Sequence, residues 1–188
     1  MTRIQLAGPP GEAISLAEAK AYLKIEDEAE DGLIEALIVA ARLHCEAVAG
    51  IALMSQSWRL VLDELPGDGV IALPVTPFQS LSAITVFDEY GDPQELAIAG
   101  VLEGPDRLVL PRALFAGVTP RARQGVEIDY VAGYGDDPED VPAGLKQALM
   151  VLVGHWYENR TAVVVAGSGA VVPLGFDALV APFKRVRL

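Results

Sequence analysis

The spacing of apolar residues changes twice along this chain, and those two changes limit the folds open to it. Up to Gly50 they recur with the helical period of about 3.6 residues, from Ser55 they alternate, and from Pro142 the helical period returns. In "SLAEAKAYLKI", Ser15 and Glu18 form a capping-box pattern, and Leu16, Ala19, Tyr22 and Leu23 recur at helical spacing. After the acidic turn "EDEAED", the stretch "GLIEALIVAARLHCEAVAG" carries Leu33, Ile34, Leu37, Ile38, Ala41, Cys45 and Val48 as one apolar stripe closed by Gly50. The acids sit at the positive end of that helix dipole.

From "SWRLVLD" onward, Trp58, Leu60 and Leu62 alternate with Ser57, Arg59 and Asp63, which predicts a strand. Further strands are predicted at "VIALP", "LSAITVFD", "RLVLP" and "GVEIDYVAG", with a turn at "EYGDPQ". Prolines at 66, 74 and 77 suit the edges of an antiparallel sheet. The last strong element is "VPAGLKQALMVLVGHWYENR", where Pro142 fits a first helical turn and Leu145, Ala148, Leu149, Leu152, Val153 and Trp156 form a stripe. The expected fold class is therefore α+β. Two N-terminal helices and a long C-terminal helix make a helical core, and an antiparallel β-rich region of about 55–132 is inserted into it. Residues 1–160 are expected as a single domain and 161–188 as an extended C-terminal arm, within which "FDALVAPF" suggests a short helix broken by Pro182, with no repeat at a fixed period.

Fourteen basic against 26 acidic side chains give a formal charge of −12, which opposes gripping nucleic acid through its phosphates. Cys45 is the one cysteine, so an internal disulfide and a multi-cysteine zinc site within one chain are excluded and a reducing compartment fits. The opening "MTRIQLAGPPGEAIS" has no apolar signal core, and no run approaches the roughly 18 unbroken apolar residues of a spanning helix. A soluble chain made in the cytosol, with no membrane partner, is expected.

Residues with chemical potential have plainer explanations. His44 and Cys45 are neighbours, but adjacent helical side chains point about 100° apart, so they cannot meet as base and nucleophile. Cys45 reads as a core residue, and His44 and His155 as packing or surface residues. Asp136, Asp137, Glu139 and Asp140 offer oxygen ligands without the spacing of a calcium loop, and stabilising the helix that follows accounts for them. "GSGAVVPLG" lacks the ending of a phosphate loop, and neither a Gly-x-Ser-x-Gly elbow nor a His-Glu-x-x-His helix occurs. No cofactor and no metal are expected. A small metal-dependent hydrolase using His44, His155 and the acids near Asp137 is one rival reading, and a monomeric or dimeric binding module is another.

The tail "NRTAVVVAGSGAVVPLGF" is too apolar for a solvated linker and too broken by glycine for a core helix. Burying its large side chains is worth roughly 1.5 to 3 kcal/mol each before ordering costs, so a receiving surface is favoured. That surface is either the chain's own core or a partner; glycines at 167, 169 and 175 and the basic end "KRVRL" favour an arm that reaches a neighbour.

The blocks "SLAEAKAYLKI", "EDGLIEALIVAARLHCEAVAG" and "SWRLVLD", and above all "VEIDYVAGYGDDPEDVPAGLKQALMVLVGHWYENR", resemble the head-to-tail connector, or adaptor, proteins of tailed double-stranded DNA phages and gene transfer agents. The resemblance covers most of positions 14–160 and is carried by structural residues, so it implies architecture and assembly rather than an active site. It implies a non-enzymatic virion protein at the neck, assembled in the host cytoplasm. Its copies would form a homo-oligomeric ring, commonly of twelve subunits, below the portal protein. Such a ring extends the DNA channel and offers a platform to a downstream stopper or tail-terminator protein. Residues expected to contact partners are Arg160, Val163, Val164, Val165, Val171, Val172, Phe176, Leu179, Phe183, Lys184, Arg185 and Arg187. DNA would pass a negative lumen without specific binding.

Overall fold

Alternation after Ser55 has its structural counterpart in antiparallel sheet. The computed structural model describes residues 1–114, 116–159 and 173–184. The chain forms two units, each assembled from two stretches: 1–10 with 55–134, and 11–54 with 135–188.

The first unit contains strands β1 (Thr2–Ala7), β2 (Gln56–Leu62), β3 (Val70–Ala72), β4 (Phe78–Phe87), β5 (Pro93–Glu95), β6 (Leu102–Glu103), β7 (Arg107–Val109) and β8 (Val126–Ala132). Five of them pair in the order β1-β2-β8-β4-β5 and three in the order β3-β7-β6, all antiparallel. Register places Leu60 opposite Ile128 and Leu62 opposite Val126, while β4 sets Ile84 and Val86 beside the same two β8 residues. One face of the sheet therefore collects these six side chains with Tyr130, all of them buried. The opposite face carries an ion-pair cluster beside the buried Val61: Arg59 lies 2.7 Å from Asp129 and 2.8 Å from Glu127. Its hydrogen bond to Asp129, helped by both carboxylate charges, raises the guanidinium's pKa further.

Three short strands escape the sequence reading. All six residues of β1 are exposed, so no alternation of burial marks it. Pairing with β2 creates it, with Gln5 Nε2 donating to Gln56 Oε1 at 2.7 Å and the Arg3 guanidinium 5.9 Å from the Trp58 ring centroid. β5 and β6 have only three and two residues, too few to show a period. Gly69 is required where β3 begins: its φ is +73°, and a Cβ there would run into the Leu110 carbonyl.

In the second unit, α1 (Leu16–Leu23) opens with the expected capping box: the Glu18 N–H donates to Ser15 Oγ at 3.2 Å, and the Ser15 N–H donates to Glu18 Oε2 at 2.7 Å. Those Ser15 hydrogen bonds, with a smaller contribution from Lys146, hold the Glu18 carboxyl below its ordinary range. α2 (Asp31–Ala49) buries Ile34, Ile38, Ala41, Cys45 and Ala49 and stops at Gly50 in the left-handed region. Leu33 and Val48, expected in that stripe, are 38% and 39% exposed. The helices packed on α2 cover a face centred near Ile38 and Cys45, and both residues project outside it. Arg42 is buried and paired to Glu12 at 2.8 Å and to Glu46 at 3.1 Å.

α3 (Ala143–Glu158) packs on α1 and α2, and Leu145, Ala148, Leu149, Leu152 and Val153 are fully buried. α4 (Leu174–Val180) runs into a 3₁₀ turn at Ala181–Phe183 and packs on α3. Residues 174–183 of the expected extended arm are thus helical, where "FDALVAPF" suggests a short helix. Phe176 and Val180, spaced i and i+4, face one side and are buried, and that burial favours a helix over an extended strand.

Candidate functional site

The residues expected to meet partners cluster at the C-terminus, and α4 fixes those that the structure describes. α2, α3 and α4 each supply a ring there. His44 lies 5.8 Å from Trp156, edge to face, and 5.4 Å from Phe176 between centroids. Its Nε2 is buried and has no hydrogen-bond partner among the described residues. Cys45, one residue on, points into the core, where burial first and then the Glu46 charge push its thiol up to about 12. The expected divergence of these two side chains holds, and neither is placed to activate the other.

Phe176 is fully buried within the helical unit, where its ring packs beside His44. The large gain from hiding an aromatic ring is met locally by α2 and α3. Leu179 and Phe183 are half-buried, and the Phe183 ring comes to 3.6 Å from the place a Cβ on Gly144 would occupy. Lys184 Nζ pairs with Asp177 at 3.0 Å. Arg160, Val163, Val164, Val165, Val171, Val172, Arg185 and Arg187 lie outside the described residues.

A cleft of about 530 Å³ opens between the end of α1 and the last turns of α3, with Tyr22, Lys24, His155, Tyr157, Glu158 and Pro173 among its lining residues. Lys24 caps α1 in the left-handed conformation. Tyr157 Oη hydrogen-bonds the Glu30 carboxylate, and Asn159 Nδ2 lies 3.3 Å from His155 Nδ1. The acids before α3 serve the backbone: Asp137 accepts from the Glu139 N–H at 3.0 Å, and Asp140 accepts from the Asp137 N–H at 3.3 Å. Gly135 makes room for that arrangement, since a Cβ there would coincide with the Asp140 carboxylate. Among the described residues no group of three or more His, Cys, Asp or Glu side chains is gathered to hold a metal ion. No described helix is long and apolar enough to cross a membrane.

One surface feature escapes the sequence reading. The side of α2 turned away from the core carries Leu33, Ala36, Val39, Ala40, Leu43 and Ala47, all exposed, and no charged residue. Its signal in the sequence is an absence: no Asp, Glu, Lys or Arg falls on that stripe of a 19-residue helix.

The fold is α+β; polar side chains are engaged in caps and ion pairs at Ser15, Arg42 and Arg59, and one side of α2 presents exposed apolar ones. Comparison with known proteins gives the class. The chain belongs to the head completion protein family, whose model matches residues 12–172. It is similar over its whole length to a chain from the neck of an empty gene transfer agent particle computed with sixfold symmetry. Identity there is 28%, the TM-score is 0.79, and the match covers 100% of this chain and 97% of that one. A chain of the native gene transfer agent virion is 27% identical with a TM-score of 0.79, and one from a native neck computed with twelvefold symmetry is 27% identical with a TM-score of 0.73. Coverage is again 100% of this chain and 97% of each of those. No curated protein sequence matches it. Its role is head-to-tail connection, and its place is the head–tail interface of a phage-like particle.

Proposed function

We propose that copies of this chain form a ring, of twelve subunits, that sits below the portal protein, continues the DNA channel and receives the next neck or tail protein. The observation that carries this reading is full-length similarity to a chain from a neck computed with twelvefold symmetry. A ring of this kind needs a heterologous interface, one surface of each copy fitting a different surface of the next. The charge of −12 supports a lumen that DNA traverses without adhering, because phosphates meet like charge rather than lysines that would release counterions.

In this reading the segment around Val163, Val164, Val165, Val171 and Val172, with Arg160 before it and Lys184, Arg185 and Arg187 after it, is the arm that docks on the portal. Its valines supply apolar area, and the cations at its end offset the acidity of the rest. Removing all of 161–188 would also strip Phe176 and Val180 from the core, so a subtler variant is the better test. Changing Val163, Val164 and Val165 together to serine leaves α4 in place. That variant is expected to lose attachment to portal-bearing heads in a binding assay while its far-ultraviolet circular dichroism stays that of the wild type. Undiminished attachment removes the arm from the portal contact.

A further inference from the structure

We infer that the outward face of α2 is a contact between neighbouring copies of this chain; the inference rests on the ring reading above. Leu43 is 55% exposed and Leu33 and Val39 are each 38% exposed, with exposed Ala36, Ala40 and Ala47 completing the stripe. They lie opposite Ile34, Ile38, Ala41 and Cys45, the face turned to the rest of the helical unit. A solvated helix face ordinarily carries charges, and in this chain 21% of residues are charged, yet this stripe has none. Glu35 and Glu46 fall along one border of it, and Glu46 is engaged there with Arg42 and with the Leu53 N–H.

Charge selects the occupant. A basic partner would be drawn to carboxylates, which the stripe lacks, and a nucleic acid would need cations, which it also lacks. Copies that each carry a charge of −12 repel one another, so they meet best where neither opposes an acid, and the α2 stripe is such a surface. Small side chains at Ala36, Ala40 and Ala47 leave shallow ground on either side of Leu43, into which a neighbour's side chains can pack. Because a ring contact is heterologous, the facing surface on the next copy is a different one.

The test uses the full chain, portal-bearing heads and a short amine cross-linker, reading the ladder of linked copies in the neck. Leu43→Glu would place an unpaired carboxylate in the contact, so the ladder should weaken by about a hundredfold or more. The isolated variant should melt at the wild-type temperature, and Leu43→Met should assemble normally. A wild-type ladder from Leu43→Glu rejects this face and leaves the ring reading standing. Absence of a ladder from the wild-type chain itself defeats the ring reading, and this inference with it. A lowered melting temperature for isolated Leu43→Glu means that the chain covers the stripe itself, and intact rings that fail to recruit the downstream tail protein assign the stripe to that protein. Either result overturns the inference.

Discussion

Cys45 and His44 are adjacent in the chain and pack against different neighbours, and helical geometry separates them. Burial raises the Cys45 thiol from 9.0 to about 12, so the folded chain holds its proton after the unfolded chain has lost it. Above pH 9 the unfolded state binds fewer protons than the native one, and stability must fall as pH rises toward 12. Accordingly, Cys45→Ala should flatten the alkaline limb of a melting-temperature curve, and the native thiol should resist a disulfide exchange reagent at pH 8 until denaturant is added. Prompt labelling of the native protein would contradict this. That Cys45 is a core residue was legible from its position on the apolar stripe. The ring contacts of His44 were not, because Trp156 lies 112 positions away and Phe176 lies 132 away, distances across which periodicity carries no information.

Elements were legible in proportion to their length and to how far burial imposed a period on them. α2, α3, β2 and β8 are long and one-sided, and their apolar spacing announced them. β1 is fully exposed and is fixed by its pairing with β2, so burial imposes no period on it. α4 is the opposite case. Seven residues cannot sustain a helix alone, and docking of Phe176 and Val180 on the core holds it. Phe176→Ala therefore removes more than α4 can supply by itself, about 3 kcal/mol. Backbone amides of residues 177–181 should then exchange hydrogen at nearly the unfolded rate while those of α3 remain protected. Equal loss of protection in both helices would mean that α4 is an integral part of the core rather than a docked element.

At the scale of the molecule, self-assembly of the proposed ring would work against the chain's own charge. If copies meet through uncharged apolar surface, salt removes repulsion without removing attraction. Raising ionic strength from about 0.01 M to 0.15 M shortens the screening length from about 30 Å to 8 Å, and self-association should strengthen over that range. Sedimentation velocity at fixed protein concentration reads this directly. Association that weakens with salt would instead assign the contact to ion pairs.

From the residues alone came the α+β class, the order of helix, strand and helix, most core positions, and a likeness to connector proteins carried by structural residues. Each depends on local spacing or on composition, which a linear string records. The fold of the chain decided the rest. It recruited an exposed N-terminal segment as a strand, docked the short helix of the expected arm beside His44, and left one side of α2 exposed. Which side of a helix is covered depends on what other segments bring against it, and those segments are distant in sequence.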